Sequence, residues 1–461
     1  MIREWYQRHV TLLVYTTHER TKPEEQMLDT LLHLQDPKTW QPLLDKLARR
    51  HAPDPLIETD VNAIIRAVRE HGDDALAGYT RRFDCPDFTG SLRVAEKDLY
   101  AAMRLVDTDD LAIIREAASN IRTFHQAQKQ ESWFMTRADG SILGQKVDPV
   151  DRAGMYVPGG MGGNTPLIST LLMTAIPAQV AGVEEIAVVT PPRNDGTVNP
   201  YILAAASMLG ITEVYRVGGA WSIAALAFGT TSVRPVDVIA GPGNIWVTTA
   251  KRLVQGQVGI DMLAGPSEVL ILADKTARPD WVAADMLSQA EHDSLASAIC
   301  LTTDPELGAR ILEELAIQCA SLPRAEMAAK SLHDWGAVAV LPHMDDAVAL
   351  ANRVAPEHLE IMTRDPWAVL PHIRHAGAVF MGHHTPEALG DYFAGPNHVL
   401  PTLGTARFSS ALSVHTFTKR SSVIAASPEF STRSSRSVAR MARLEELEAH
   451  ARSMETRNPK A

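Results

Sequence analysis

The chain has little with which to cross-link itself. Its 461 residues include three cysteines, Cys85, Cys300 and Cys319, far apart and in no CxxC pair. That excludes a disulfide framework and points to a reducing compartment. Cys300 sits in the apolar run 298–301, where a buried thiol is expected rather than a reactive one. Cationic charge is also short, with 44 Lys and Arg against 55 Asp and Glu and a formal net charge of −11. This argues against nucleic acid or an anionic membrane as the main partner, because phosphate binding needs a cationic footprint. Long apolar runs are missing too. No window approaches the ~20 residues of a membrane span, and the stretch 11–15, near Arg3 and Arg8, is too short for a signal core. A cytoplasmic location is expected. There is no internal repeat, no low-complexity tract and no GxGxxG fingerprint with an acidic residue at its usual offset.

What is present is ordinary in amount and specific in order. Apolar residues make up 45% and charged residues 21%, as in a soluble globular chain, and the length allows two or more domains. From 55 to 128 the pattern is mostly helical, with Val61, Ile64, Ile65 and Val68 on one face and Asp60 as a cap. Around 148–163 the texture changes to Tyr156-Val157-Pro158-Gly159-Gly160 and Gly162-Gly163, which breaks regular structure and allows close backbone approach. Strand-like runs at 185–190, 213–217 and 237–240 then alternate with helical runs at 201–209, 220–228 and 245–254. After Glu268 the alternation resumes, with strands at 269–273, 298–302, 337–341, 359–363 and 378–380. Helices are expected between them at 281–292, 306–320, 345–354 and near 370–375. This is the βαβ pattern of parallel sheets covered by helices, and two such blocks, divided near Gly265, imply two doubly wound domains. A final helix carries Val438, Met441, Leu444 and Leu447 at every third position, an apolar stripe able to dock on the body of the protein or on another subunit.

Three blocks carry acid, base and metal-type side chains. In Ser288-Gln289-Ala290-Glu291-His292, Gln289 and His292 are three apart on one expected helix and can converge on one ion; by itself such a histidine is more often solvent-facing. In Ala355-Pro356-Glu357-His358-Leu359, neighbours in a strand would point to opposite faces unless the backbone is irregular, and Pro356 supplies irregularity. His358 suits proton transfer from an alcohol and Glu357 suits activation of water, although for this block alone a surface pair is the more frequent explanation. In Gly390-Asp391-Tyr392, the acid follows a strand in a loop, with His398 seven residues on and His383 and His384 nearby without partner spacing. Glu445 and His450 are five apart, not on one narrow helix face. The turn Gly241-Pro242-Gly243-Asn244 follows a strand and opens a helix, the setting for an anion or dinucleotide, and Gly218-Gly219-Ala220 is placed alike.

Taken in order with Ala264-Gly265-Pro266-Ser267-Glu268, Asn397-His398-Val399-Leu400-Pro401-Thr402 and Ala449-His450-Ala451, these blocks closely resemble the histidinol dehydrogenase family, from about residue 30 to 455. The resemblance implies two Rossmann-like doubly wound parallel-sheet domains, small N- and C-terminal helical extensions, and an intertwined homodimer. The expected division is an N-terminal extension at 1–55, a first domain from 56–155 and 269–405 with the acid–base and most zinc residues, a second, NAD-binding domain at 156–268, and a dimerisation extension at 406–461. It implies zinc ligands Gln289, His292, Asp391 and His450, proton acceptors Glu357 and His358, and NAD contacts Tyr156 and Asn244. Substrate contacts would be Ser267, Gln289, His292, His358, Asp391, Glu445 and His450, with His398 close by and the C-terminal histidine supplied by the neighbouring subunit. The implied reaction is the four-electron oxidation of L-histidinol to L-histidine through the aldehyde with two NAD, the last step of histidine biosynthesis. Trp221 departs from the pattern, standing where a Gln that contacts NAD is expected, and the first 26 residues have no counterpart. The alternative is a related zinc and NAD alcohol dehydrogenase acting on a sulfonated diol, which would need a cationic pocket where Glu445 and His450 stand. A catalytically silent dinucleotide-binding scaffold would have lost acid–base residues that this chain keeps.

Overall fold

Apolar runs such as Glu268–Ala273 and Ser297–Thr302 are buried along their whole length, because parallel strands are covered on both faces and have no polar side to show. A computed structural model describes residues 27–51, 55–160, 163 and 165–457; the first 26 residues and Gly162 of the sequence reading lie outside them. The chain opens with β1 (Leu31–His33), α1 (Gln41–Ala48), α2 (Pro55–Phe83, broken at Gly72), α3 (Glu96–Ala102) and α4 (Thr108–Gln126). A hairpin follows, β2 (Trp133–Thr136) and β3 (Ile142–Pro149), and then β4 (Arg152–Tyr156). The first alternation comprises α5 (Ile168–Ala181), β5 (Glu185–Thr190), α6 (Pro200–Met208), β6 (Glu213–Arg216), α7 (Gly219–Phe228), β7 (Val238–Ala240), α8 (Ile245–Val254) and β8 (Gly259–Ile260). The second begins with β9 (Glu268–Ala273), α9 (Pro279–Ala290), β10 (Ser297–Thr302), α10 (Pro305–Cys319) and α11 (Ala325–Trp335). It continues with β11 (Ala337–Val340), α12 (Met344–Val354), β12 (His358–Met362), the short α13 (Pro366–Val369), β13 (Ala378–Met381) and the one-turn α14 (Glu387–Leu389). The chain closes with β14 (Thr418–Ala425), α15 (Pro428–Leu444) and α16 (Glu448–Glu455).

The two alternating blocks form two parallel sheets, as the sequence implies. One has six strands in the order β1-β11-β10-β9-β12-β13 and the other five in the order β6-β5-β4-β7-β8. Each has an apolar core on both faces.

Three expectations are corrected. The resemblance groups residues 56–155 with 269–405, but the stripe Val61, Ile64, Ile65 and Val68 of α2 packs with Val189, Ala224 and Val247 of the five-stranded block. Likewise Leu111, Ile114 and Ile121 of α4 pack with Met155, Val188 and Ile202. An amphipathic helix is specific about burying its face but not about which distant sheet covers it. The N-terminal extension is not purely helical, since Leu31–His33 extends the six-stranded sheet beside β11. Nor is the C-terminal extension, since β14 pairs antiparallel with β3, and β3 with β2, in a third sheet. β14 is mostly polar and exposed, and β2 is an exposed, mostly apolar run of four residues, so neither shows the apolar–polar alternation by which a strand is read.

Candidate active site

Helix α12 ends at Ala355, which takes a left-handed conformation (φ 52°) before Pro356. A residue with a Cβ costs energy there and is held only by its surroundings. The twist delivers Glu357 just ahead of β12, whose first residue is His358, and both side chains are buried. The irregularity inferred from Pro356 is therefore centred on Ala355. His358 Nδ1 lies 3.8 Å from Glu357 Oε2 and 3.8 Å from Glu387 Oε1, and Nε2 lies 3.4 Å from Asp391 Oδ1.

Both members of the pair are held by one residue's backbone. The Glu268 N–H donates to Glu357 Oε2 at 2.9 Å, and His358 Nδ1 bonds to the Glu268 carbonyl at 3.0 Å. The carbonyl can only accept, so Nδ1 carries the proton and Nε2 is turned to Asp391. Burial pushes the Glu357 carboxyl up to about 8, against the pull of His358 and the Glu268 N–H. Burial lowers the His358 pKa, but Glu387, Glu357 and Asp391 outweigh it and raise it well above the ordinary histidine range.

Asp391 lies in a π-helical turn, Gly390–Ala394, that continues α14, a distortion found most often at functional sites. Gly390 is required there, since a Cβ would fall 2.5 Å from the Phe380 ring. Burial raises the Asp391 pKa, but His358, His398 and His292 hold it below the usual carboxylate range. His398 Nδ1 bonds the Asp391 carbonyl at 2.9 Å. Gln289 is fully buried in the last turn of α9. With its amide nitrogen as donor, it reaches both Glu387 oxygens at 3.1 Å. The expected helix 281–292 stops at Ala290, and His292 follows it with its N–H bonded to the Gln289 carbonyl at 3.2 Å. Its pKa is lowered by burial and raised by Asp391.

The structure thus brings Gln289, His292, Glu357, His358 and Asp391 together, with Ser267 on the turn that leads into Glu268. Glu445 and His450 are exposed on the C-terminal hairpin. Among the described residues, no side-chain hydrogen bond or ion pair joins either to this cluster. Glu387 was missed by the sequence reading. Its only signal is its place four residues before Asp391, on the same face of a helical turn. His358, Glu387 and Asp391 each offer a ligand atom, all within 4.8 Å of one another. The buried His358 Nε2 has no well-directed hydrogen bond. Nitrogen and carboxylate donors gathered this closely, with His292 and Gln289 beside Asp391, fit a borderline divalent ion such as zinc and leave His358 Nε2 free to take a proton.

Since His358 and Glu268 begin β12 and β9, this centre lies at the amino ends of the six-stranded sheet. The glycine turns lie at the carboxyl ends of the five-stranded one, where α/β folds receive nucleotides. Asn244 caps α8, with Oδ1 accepting from Trp246 N at 3.1 Å and Val247 N at 3.2 Å, so its amide nitrogen is left as a donor. Gly241 is obligatory, because a Cβ would stand 2.1 Å from the Tyr156 carbonyl. Its N–H and carbonyl are held by Asp261 and by Lys251, a buried ion pair 2.5 Å apart. Tyr156 is buried with its hydroxyl pKa raised by burial and by Asp84. Trp221 stacks on Phe83 and Tyr79 of α2, with ring centroids at 5.4 and 5.9 Å. Thr248 Oγ1 joins the two regions by bonding Gly243 O at 3.2 Å and Ala264 O at 3.0 Å.

Fold and site together define an α/β enzyme with a buried acid–base centre on one parallel sheet and nucleotide-type turns on the other. The histidinol dehydrogenase family model matches residues 47–458. Histidinol dehydrogenase of Nitratidesulfovibrio vulgaris is 65% identical over 429 residues, covering 93% of this chain and 98% of that protein. That of Bacillus subtilis is 51% identical over 397 residues, covering 86% and 92%. The crystal structure of histidinol dehydrogenase from Elizabethkingia anophelis superposes with a TM-score of 0.86 at 36% identity, covering 94% of this chain and 98% of that one. The chain belongs to the histidinol dehydrogenase family.

Proposed function

We propose that the chain oxidises L-histidinol to L-histidine through L-histidinal, reducing two NAD in turn, as the last step of histidine biosynthesis in the cytoplasm. The observation that carries this reading is the buried convergence of Glu357 and His358 with Gln289, His292 and Asp391. No helix among the described residues is long and apolar enough to cross a membrane.

Gln289, His292 and Asp391 would hold zinc, with His450 completing the set from a partner subunit. When bound, the ion would grip and orient the amino alcohol. With the charge of Asp391 taken up by the ion, His358 would be left neutral and would accept the alcohol proton as the first hydride leaves for NAD. Glu357, whose pKa of about 8 suits a base near neutral pH, takes a proton from the water that adds to the aldehyde. His358 accepts again as the second hydride leaves. Tyr156 and Asn244 flank the dinucleotide at the carboxyl ends of the five-stranded sheet. Ser267 and Glu445 contribute to the substrate pocket.

Exposure of Val438, Met441, Leu444 and Leu447, between 39 and 67%, supports a C-terminal hairpin that covers a second copy in a homodimer with shared sites. Such a contiguous apolar stripe is costly to leave in water.

The test counts NADH per histidine formed, before and after removal of metal by a chelator. Two NADH per histidine, loss on chelation and return with zinc are expected; no NADH formation from histidinol would refute the reading. Glu357→Gln should slow aldehyde oxidation more than alcohol oxidation, and an equal loss of both half-reactions would contradict the division of labour.

A further inference from the structure

The N-terminal segment reaches the active site through one side chain. Arg50 follows α1 and is buried, 7% exposed. A guanidinium has five N–H donors, and here each has a partner. Nε donates to Leu295 O at 2.8 Å. Nη1 donates to Glu268 Oε1 at 2.7 Å and Ser297 Oγ at 3.0 Å. Nη2 donates to Pro266 O and Ser267 O, each at 3.2 Å. Four of these five bonds fall on the 266–268 turn or on Ser297, which pairs with Glu268 in the sheet.

That turn holds both acid–base residues. Glu268 N–H is the hydrogen-bond donor given to the Glu357 carboxylate, and Glu268 O is the acceptor that sets the His358 ring. A shift of the Glu268 peptide units therefore displaces the water-activating carboxylate and the proton-accepting imidazole together. The preceding residue, Ser267, moves with them.

We propose that Arg50 is a positioning residue which fixes Glu357 and His358 through the Glu268 backbone. It touches neither reacting group. A planar fork of fixed geometry can satisfy three carbonyls, a carboxylate and a hydroxyl at once, and the three rotatable donors of a lysine cannot. The inference rests on the acid–base roles given above to Glu357 and His358. It adds that the turn carrying their supports is set by a side chain that directly follows α1, 218 residues before Glu268 in the chain.

The test uses the full-length zinc enzyme. Wild type must first give two NADH per histidine, and His358→Ala must abolish turnover; failure at this stage would strike the acid–base reading and not the role of Arg50. Arg50→Lys keeps the charge and loses the fork. Near-attack geometry is steep enough that a ~1 Å misplacement costs on the order of 100-fold. Arg50→Lys is therefore expected to lower kcat roughly 10- to 100-fold and to displace the pH profile of kcat. Zinc content and the KM for NAD should stay close to wild type. A folded Arg50→Lys enzyme with an unmoved pH profile overturns the proposal, as does a kcat loss matching only a smaller folded fraction. Should Arg50→Lys not fold, Glu268→Gln decides, because it weakens the clamp and keeps the Glu268 backbone bonds. A displaced pH profile in that variant supports the proposal, and a wild-type profile overturns it.

Discussion

Asp84 lies at the end of α2, with Oδ2 3.2 Å from where a Cβ on Gly218 would stand and no hydrogen-bond partner for that oxygen. Burial raises its pKa from 3.8 to about 7. An acid whose folded pKa is raised binds its proton more readily folded than unfolded, so stability falls as pH climbs from about 4 to 7 and stays lower above. The penalty is at most about 4 kcal/mol. Asp84→Asn should match wild type in thermal midpoint near pH 4 and exceed it by a few degrees at pH 8; a constant difference across that range would refute the assignment. Sequence alone gave Asp84 no distinction, because what isolates it is Gly218, 134 residues further on. Glu357 and His358 were legible since they are neighbours with chemistry of their own. Glu387 and Arg50 were not, since each acts only through a group far away in the chain.

At the scale of elements, strands β4, β5 and β6 begin with charged residues that tie their amino ends together. Arg152 bonds Glu185 Oε2 at 2.9 Å and Glu213 Oε2 at 2.5 Å, and Arg234 reaches both acids as well. Burial raises the Glu213 pKa, but the bonds from Arg152 and Arg234 outweigh it and bring it down to about 2. A depressed carboxylate contributes stability that is complete above its unfolded pKa and is lost as pH falls through the folded value. Arg152→Ala leaves Glu213 half-buried without its main partner and should cost about 3 kcal/mol in urea unfolding at pH 7. The same variant should lose less stability than wild type between pH 4.5 and 2, a comparison that circular dichroism can follow. The strand positions themselves were readable from apolar runs, 185–190 to the residue. The end of α9 was not. Its helical spacing continues through His292, and the helix stops two residues earlier.

At the scale of the molecule, a single chain brings together Gln289, His292 and Asp391 and leaves Glu445 and His450 exposed on the hairpin. If sites are shared across a dimer, chains inactivated at His358 and at His450 should complement each other. Random exchange of the two makes half the dimers mixed, each with one intact site, so activity should return to about a quarter of wild type. Each variant alone would remain inactive. No recovery after exchange confirmed by labelled subunits would show that each chain completes its own site.

The sequence by itself determined the class of fold, the paired blocks of parallel strand and helix, and the chemistry available to the site. Those depend on local periodicity and on side-chain identity, which each segment carries regardless of its neighbours. Only the tertiary structure decided that α2 and α4 cover the five-stranded sheet, that Trp221 packs on Phe83 and Tyr79, and that one arginine near the N-terminus clamps the turn supporting Glu357 and His358. Those facts depend on which distant surfaces meet, and many partners would satisfy the same apolar face or the same charge equally well.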